Sequence, residues 1–254
     1  MILIFCAFGA EFEPLRARID VEQALGIEGL KGCYGRIGTT RIALAASGIG
    51  MRRAQASARR AFDAIRDVEL VILTGVAGAL AGNLEIGEVV MADRLMTRDG
   101  DGEVDQRART IEVPRDYFEM YATALDAAGI RHARGGLLTV KYPLVTGAEK
   151  RLAGAHTGAI AVDMETAVIA FEAAARGIPF VAMRTIMDKV EHDLAGAGLA
   201  DENGKVRPLK AAATLVRNPA MVGGIIRLVR NLRQATQAMA VTIEAVTRRV
   251  ELPD

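Results

Sequence analysis

The sequence predicts an α/β fold, a three-layer sandwich around a central mixed, largely parallel sheet, with a C-terminal helical extension. Three observations point there. Short aliphatic runs alternate with longer, Ala-rich stretches of helical period, the pattern of strands and helices taking turns around one sheet. Several of the runs are apolar throughout rather than at every second residue, as expected of strands covered on both faces. The last fifth of the chain changes character, becoming basic and continuously helical in pattern. At 254 residues, 51% hydrophobic and 25% charged, the chain is long enough for a sizeable core and too apolar to be disordered.

Taken in order, the predicted strands are residues 2–6, 41–46, 70–74, 88–92, 136–140, 159–162 and 180–186. Helices are expected over 13–19, 52–68, 114–128, 149–153 and 164–176. In the last of these Ala167, Val168 and Phe171 share a face, and Gly177 followed by Pro179 stops it. Residues 75–78 (Gly-Val-Ala-Gly) read as a tight turn leaving the third strand. The acidic, Gly-rich run 99–105 reads as a surface loop; it lacks the terminal Glu of a calcium loop. No repeat or low-complexity linker divides the chain. Residues 1–190 are expected to form the main domain and 191–254 a helical extension packed on it. Between 205 and 249 nine Lys/Arg face one acid, Glu244. Asn218-Pro219 separates helical pieces at 209–217 and 221–249. In the second, Ile225, Leu228, Val229 and Leu232 form an apolar stripe beside Arg227, Arg230 and Arg233. It reads either as a cap on the sheet or as a surface for peripheral contact with lipid.

Charge and composition exclude several classes. A formal net charge of +1 and no basic groove interleaved with aromatics leave nothing for nucleic acid. Cys6 and Cys33 cannot make a disulfide framework, and His132, His156 and His192 have no ligand spacing, so no metal site is expected. No apolar run has the length of a signal or membrane-spanning segment, and the expected location is the cytoplasm.

In an α/β sheet ligands collect beyond the carboxyl ends of the strands. Three acids fall there: Glu11 after the first strand, Glu165 where a strand hands over to a helix, and Asp188 after the last strand. Each alone reads as a cap or loop carboxylate. With their surroundings they resemble the nucleoside phosphorylase/nucleosidase superfamily. The resemblance covers about residues 1–190. It rests on Ala7-Phe8-Gly9-Ala10-Glu11, Ser47-Gly48-Ile49-Gly50, Thr74-Gly75-Val76-Ala77-Gly78, Glu85-Ile86-Gly87-Glu88-Val89-Val90, Ala161-Val162-Asp163-Met164-Glu165 and Arg184-Thr185-Ile186-Met187-Asp188. The best-matched branch is the bacterial nucleosidases acting on 5'-methylthioadenosine and S-adenosylhomocysteine. Residues 157–165 and the long tail are similar to the hopanoid-biosynthesis-associated branch, which implies adenosylhopane as substrate.

The resemblance implies cleavage of a purine N-glycosidic bond, with adenine the expected base. A purine leaves poorly as an anion, so a carboxylic acid must protonate N7; Asp188 matches that position. Glu165 matches the residue holding the ribose hydroxyls, with Met164 packing on the sugar. Glu11 matches the residue activating water, with Glu13 its rival if the alignment slips by two. Substrate contacts are further implied at Gly75, Val76 and Gly78, at Ser47 and Gly48, and at Tyr142 beside Pro143. Two positions depart from the nucleosidases, which usually carry Ser at Met187 and often at Val76; apolar residues there suit a greasier 5' substituent. Water is the expected nucleophile. The alternative is phosphate, for which only Arg52 and Arg53 after the Ser-Gly-Ile-Gly loop offer themselves. A nucleoside-binding protein without turnover is the second alternative. A homodimer is implied, and no cofactor.

Overall fold

The computed structural model describes residues 1–98, 109–194 and 220–250. In chain order these contain β1 (Ile2–Cys6), α1 (Gly9–Arg16), β2 (Asp20–Ala24), β3 (Gly32–Ile37), β4 (Thr40–Ala46), α2 (Met51–Ala64), β5 (Leu70–Ala79) and β6 (Val89–Arg98). After them come β7 (Arg109–Glu112), α3 (Arg115–Ala127), β8 (His132–Val140), α4 (Gly147–Thr157), β9 (Ala159–Asp163), α5 (Thr166–Ala174), β10 (Phe180–Asp188) and α6 (Ala220–Thr247). The expected loop at 99–105 and the expected helix at 209–217 lie outside the described residues.

All ten strands join one mixed sheet. β5 is its hub. It runs parallel to β1 on one side and to β10 on the other, and its last residues, Gly78 and Ala79, pair antiparallel with β9. β10 continues to β6, β6 to β8 and β8 to β9, so five strands close a circuit on β5. From β1 the sheet extends openly through β4, β3 and β2. Every residue of β1 is buried, as are Leu70–Gly75 of β5, which is why these runs carry no polar alternation. Helix α6 lies across β10 and β5 and meets α1 and α3, while α2 packs on α5. Among the described residues no helix is long and apolar enough to cross a membrane.

The departures from the sequence expectation have physical causes. Residues 75–79 stay in β5 instead of turning, because both β10 and β9 supply hydrogen-bonding partners there. Strands β2 and β7 were not signalled: all of β2 is exposed, and β7 is a four-residue strand pairing with β6 alone and hardly buried, so neither shows an apolar face. In β3 the glycines hide the pattern. A Cβ at Gly32 would sit 2.1 Å from Leu25 Cδ1, and one at Gly35 2.4 Å from the Asp20 carbonyl oxygen. Helix α1 begins at Gly9, ahead of Pro14, so Glu11 lies in its first turn. Helix α5 begins at Thr166, which leaves Met164 and Glu165 in the junction after β9.

Helix α4 is longer than its sequence signal because Thr146 and Glu149 form a reciprocal capping box at its start. The Thr146 hydroxyl accepts from Glu149 N at 3.2 Å, and the Glu149 carboxylate accepts from Thr146 N at 2.8 Å. Thr146→Ala is therefore expected to cost about 1 kcal/mol in urea denaturation; an unchanged midpoint would show that the cap contributes nothing to the fold.

Candidate active site

A cavity of about 150 Å³ opens where β1, β5, β9 and β10 end. Glu11, Glu165 and Asp188 all line it, together with Val76, Gly78 and Met164. The three acids are 1%, 6% and 5% exposed, so their charges are held almost wholly inside the protein.

Each acid is placed by a different device. Glu11 folds back over the start of α1, its carboxylate accepting from Ala7 N at 2.6 Å and from Val76 N of β5 at 2.8 Å. Glu165 accepts from Gly50 N at 2.6 Å. Gly50 has φ +91°, a conformation open to glycine, and this turns its N–H out of the start of α2 towards the acid. Asp188 ends β10 opposite Gly78, where a Cβ would stand 3.1 Å from both carboxylate oxygens. Two glycines of β5 thus leave room for charge: at Gly75 a Cβ would lie 1.9 Å from Arg184 Nη1 and 2.8 Å from Glu11 Oε1.

The sequence signals three further residues of this site poorly. Arg184 is buried in β10 and pairs with Asp163 at 2.7 Å; it also donates to Thr166 Oγ1 at 2.8 Å and to the Thr74 carbonyl at 3.0 Å. Asp163 is further held by the Thr139 hydroxyl at 2.6 Å and by the Thr166 backbone N–H and hydroxyl. This network ties β8, β9, α5 and β10 into one frame beneath the acids. The third residue is Lys150 of α4, fully buried, whose ammonium pairs with the Asp188 carboxylate. A lysine in Ala148-Glu149-Lys150-Arg151 looks solvated, yet its spacing from Gly147 and Ala153 puts it on the small-residue face that α4 buries.

Burial governs the titration of the three acids. It raises Glu11 from its ordinary value, against the opposing pull of Arg184 and of the backbone N–H groups that bond its carboxylate. It pushes Glu165 up to about 8, with the charge of Asp163 adding to the effect. Asp188 is also raised by burial, while Lys150 and then His192 draw it back. A buried carboxyl raised in this way is a candidate proton carrier.

Some expected contacts fall outside the cavity. Tyr142 is 58% exposed beneath Lys141, whose Nζ lies 4.9 Å from the ring centre, and its neighbour Pro143 lines the cavity instead. Ser47 and Gly48 tie the loop after β4 to the end of β1, donating to the carbonyls of Cys6 and Ala7 at 2.8 and 2.9 Å, while Ile49 reaches the cavity. Gly75 lies beneath the cavity rather than on its wall. Glu13 is exposed and pairs with Lys31, which removes it as a rival to Glu11 in this pocket. Arg52 and Arg53 are exposed on the first turn of α2, and neither lines the cavity.

A mixed sheet that gathers buried carboxyls around a cavity at its strand ends defines an α/β protein with an acidic small-molecule pocket. Within that class the chain belongs to the phosphorylase superfamily, whose family model matches residues 1–217. It is 30% identical over 195 residues to the 5'-methylthioadenosine/S-adenosylhomocysteine nucleosidase of Haemophilus ducreyi, covering 73% of this chain and 83% of the relative. Among solved structures, the corresponding nucleosidase of Neisseria meningitidis in complex with methylthio-immucillin-A superposes with a TM-score of 0.77 at 20% identity, covering 98% and 99% of the two chains. Futalosine hydrolase of Helicobacter pylori superposes with a TM-score of 0.75 at 20% identity, over 98% and 97%. These two establish the shared fold.

Two variants test the electrostatics of the site. A carboxyl raised in the folded state favours folding fully below its unfolded value of about 4.3, and that contribution is lost as the pH rises through the folded value. For Glu165 the loss is complete above about 8. Glu165→Gln keeps an oxygen for Gly50 N and carries no charge. It should melt higher than the wild type at pH 9, the difference vanishing near pH 4; equal melting at pH 9 would contradict the assignment. Gly75→Ala should destabilise the protein and displace Arg184 or Glu11, a shift visible in a crystal structure of the variant.

Proposed function

We propose that this protein cleaves the N-glycosidic bond of a purine nucleoside, an adenosine with an apolar 5' substituent, using water as the nucleophile. The observation that carries this reading is the convergence of Glu11, Glu165 and Asp188 on one cavity from three separate strand ends. The relationship to a nucleosidase at 30% identity supports it.

The residues suit the reaction step by step. As the C1'–N9 bond breaks, its electron pair passes to the base and the sugar gains oxocarbenium character. Asp188, raised by burial, gives its proton to N7, so the purine departs neutral. Glu165 accepts hydrogen bonds from the ribose hydroxyls and orients the ring. Glu11 takes a proton from the attacking water as its oxygen bonds to C1'. Held by two backbone N–H groups, its carboxylate need not reorganise. The surplus of buried carboxyl groups favours the positive sugar. Exchange with solvent then returns a proton to Asp188 and removes one from Glu11.

Two features support water over phosphate and an apolar 5' group over a polar one. Among the described residues the cation on the cavity wall is Lys150, already engaged by Asp188, and an incoming phosphate would need several free cations. Phe8, Ile49, Val76, Met187 and Leu194 give the wall its apolar character.

Purified protein should release adenine from a 5'-alkylthioadenosine, at a rate independent of phosphate. Asp188→Asn and Glu165→Gln should each lower that rate by about 100-fold or more. Sugar 1-phosphate formed in proportion to base would overturn the hydrolytic reading. Variants as active as the wild type would overturn the site itself.

A further inference from the structure

Asp188 faces two demands that conflict. Burial keeps its proton on, which an acid needs before the reaction, but also makes the carboxyl reluctant to let the proton go. The residue before Asp188 is Met187, which offers no hydroxyl to orient the acid. The groups around Asp188 show what replaces it. β5 presents Gly78, and the loop after β10 presents His192. α4 presents Lys150, and Glu11 and Glu165 share the same cavity.

Lys150 spends its three donors on this one region. Its ammonium donates to the Asp188 carboxylate, to the Lys189 carbonyl at 3.1 Å and to the His192 carbonyl at 2.7 Å. The loop bearing those carbonyls is joined to α4 by two further bonds. Gly147 N donates to Asp193 Oδ1 at 2.9 Å, and Leu194 N to the Val145 carbonyl at 2.8 Å. The ammonium is therefore fixed before any substrate arrives, on a helix pinned by its capping box.

We propose that Lys150 is the positioning residue for Asp188: it clamps the carboxyl group and stabilises the anion left when the proton moves to the purine. This rests on the nucleosidase reading of the pocket. The salt bridge is the arrangement that exists after proton transfer, so the protein holds its cation ready for the charge the reaction creates. Without Lys150, Asp188 keeps its proton to higher pH and gives it up less readily.

The test uses Lys150→Met, which fills a similar volume without charge, and Lys150→Gln, which keeps a polar amide should the first variant not fold. Asp193→Ala cuts the neighbouring loop tether and leaves the ammonium in place. The Asp188 carboxyl is followed by carbon-13 NMR in ligand-free protein, assigned with Asp188→Asn. Loss of the cation should raise its midpoint by about one unit or more. The alkaline limb of kcat/KM should move up with it, and kcat should fall about ten- to hundredfold with KM changed much less. Asp193→Ala should leave both the midpoint and the alkaline limb unmoved.

An unshifted Asp188 midpoint with a superimposable pH profile would overturn the proposal and reduce Lys150 to a staple for the loop. A shifted midpoint in the Lys150 variants, together with a wild type that releases no base, would instead retire the nucleosidase reading and leave the Lys150–Asp188 coupling standing.

Discussion

The site is organised by an imbalance of charge. Four carboxyl groups, Glu11, Asp163, Glu165 and Asp188, are buried at the strand ends with two cations, Arg184 and Lys150. Asp163 takes Arg184 as its close partner and Asp188 takes Lys150. Glu11 and Glu165 are left to backbone N–H groups. Isolated buried anions are expensive, so the protein relieves the site by raising the affinity of these acids for protons. That same surplus is what the positively charged sugar of the proposed reaction would relieve.

The fold makes room for this arrangement at one strand. β5 pairs with β1, β10 and β9, so residues following all three neighbours are delivered to its carboxyl end. Its two glycines are cut away where Arg184 and Asp188 need space. Around the acids the core is apolar and fully buried, which denies them water and sustains their altered titration. Stability and function pull against each other at Glu165 most plainly, since the charge that would grip a ribose is also one the folded protein resists.

Much of this was legible in the sequence because each acid followed an apolar run long enough to mark a strand. Positions 11, 165 and 188 could therefore be assigned to one end of a sheet before any contact was known. What escaped notice did so for definable reasons. Strands β2 and β7 expose nearly all their residues and give no periodic signal. Lys150 sits in a run of charges that reads as solvated, and only its register with Gly147 and Ala153 betrays that α4 buries it, while Leu152 two residues later is 56% exposed. Tyr142 was implied by the resemblance, yet a matching position carries no information about side-chain direction, and its ring lies outside the pocket.

The proposed chemistry requires the three acids to surround one ribosyl–purine linkage. The most direct measurement is a crystal structure of this protein bound to an adenosine analogue whose ribose is replaced by a cationic ring. The expected arrangement has N7 of the base against Asp188, the ring hydroxyls on Glu165 and a water or its equivalent at Glu11. An analogue bound elsewhere, or seated in the cavity with its base turned away from Asp188, would contradict it.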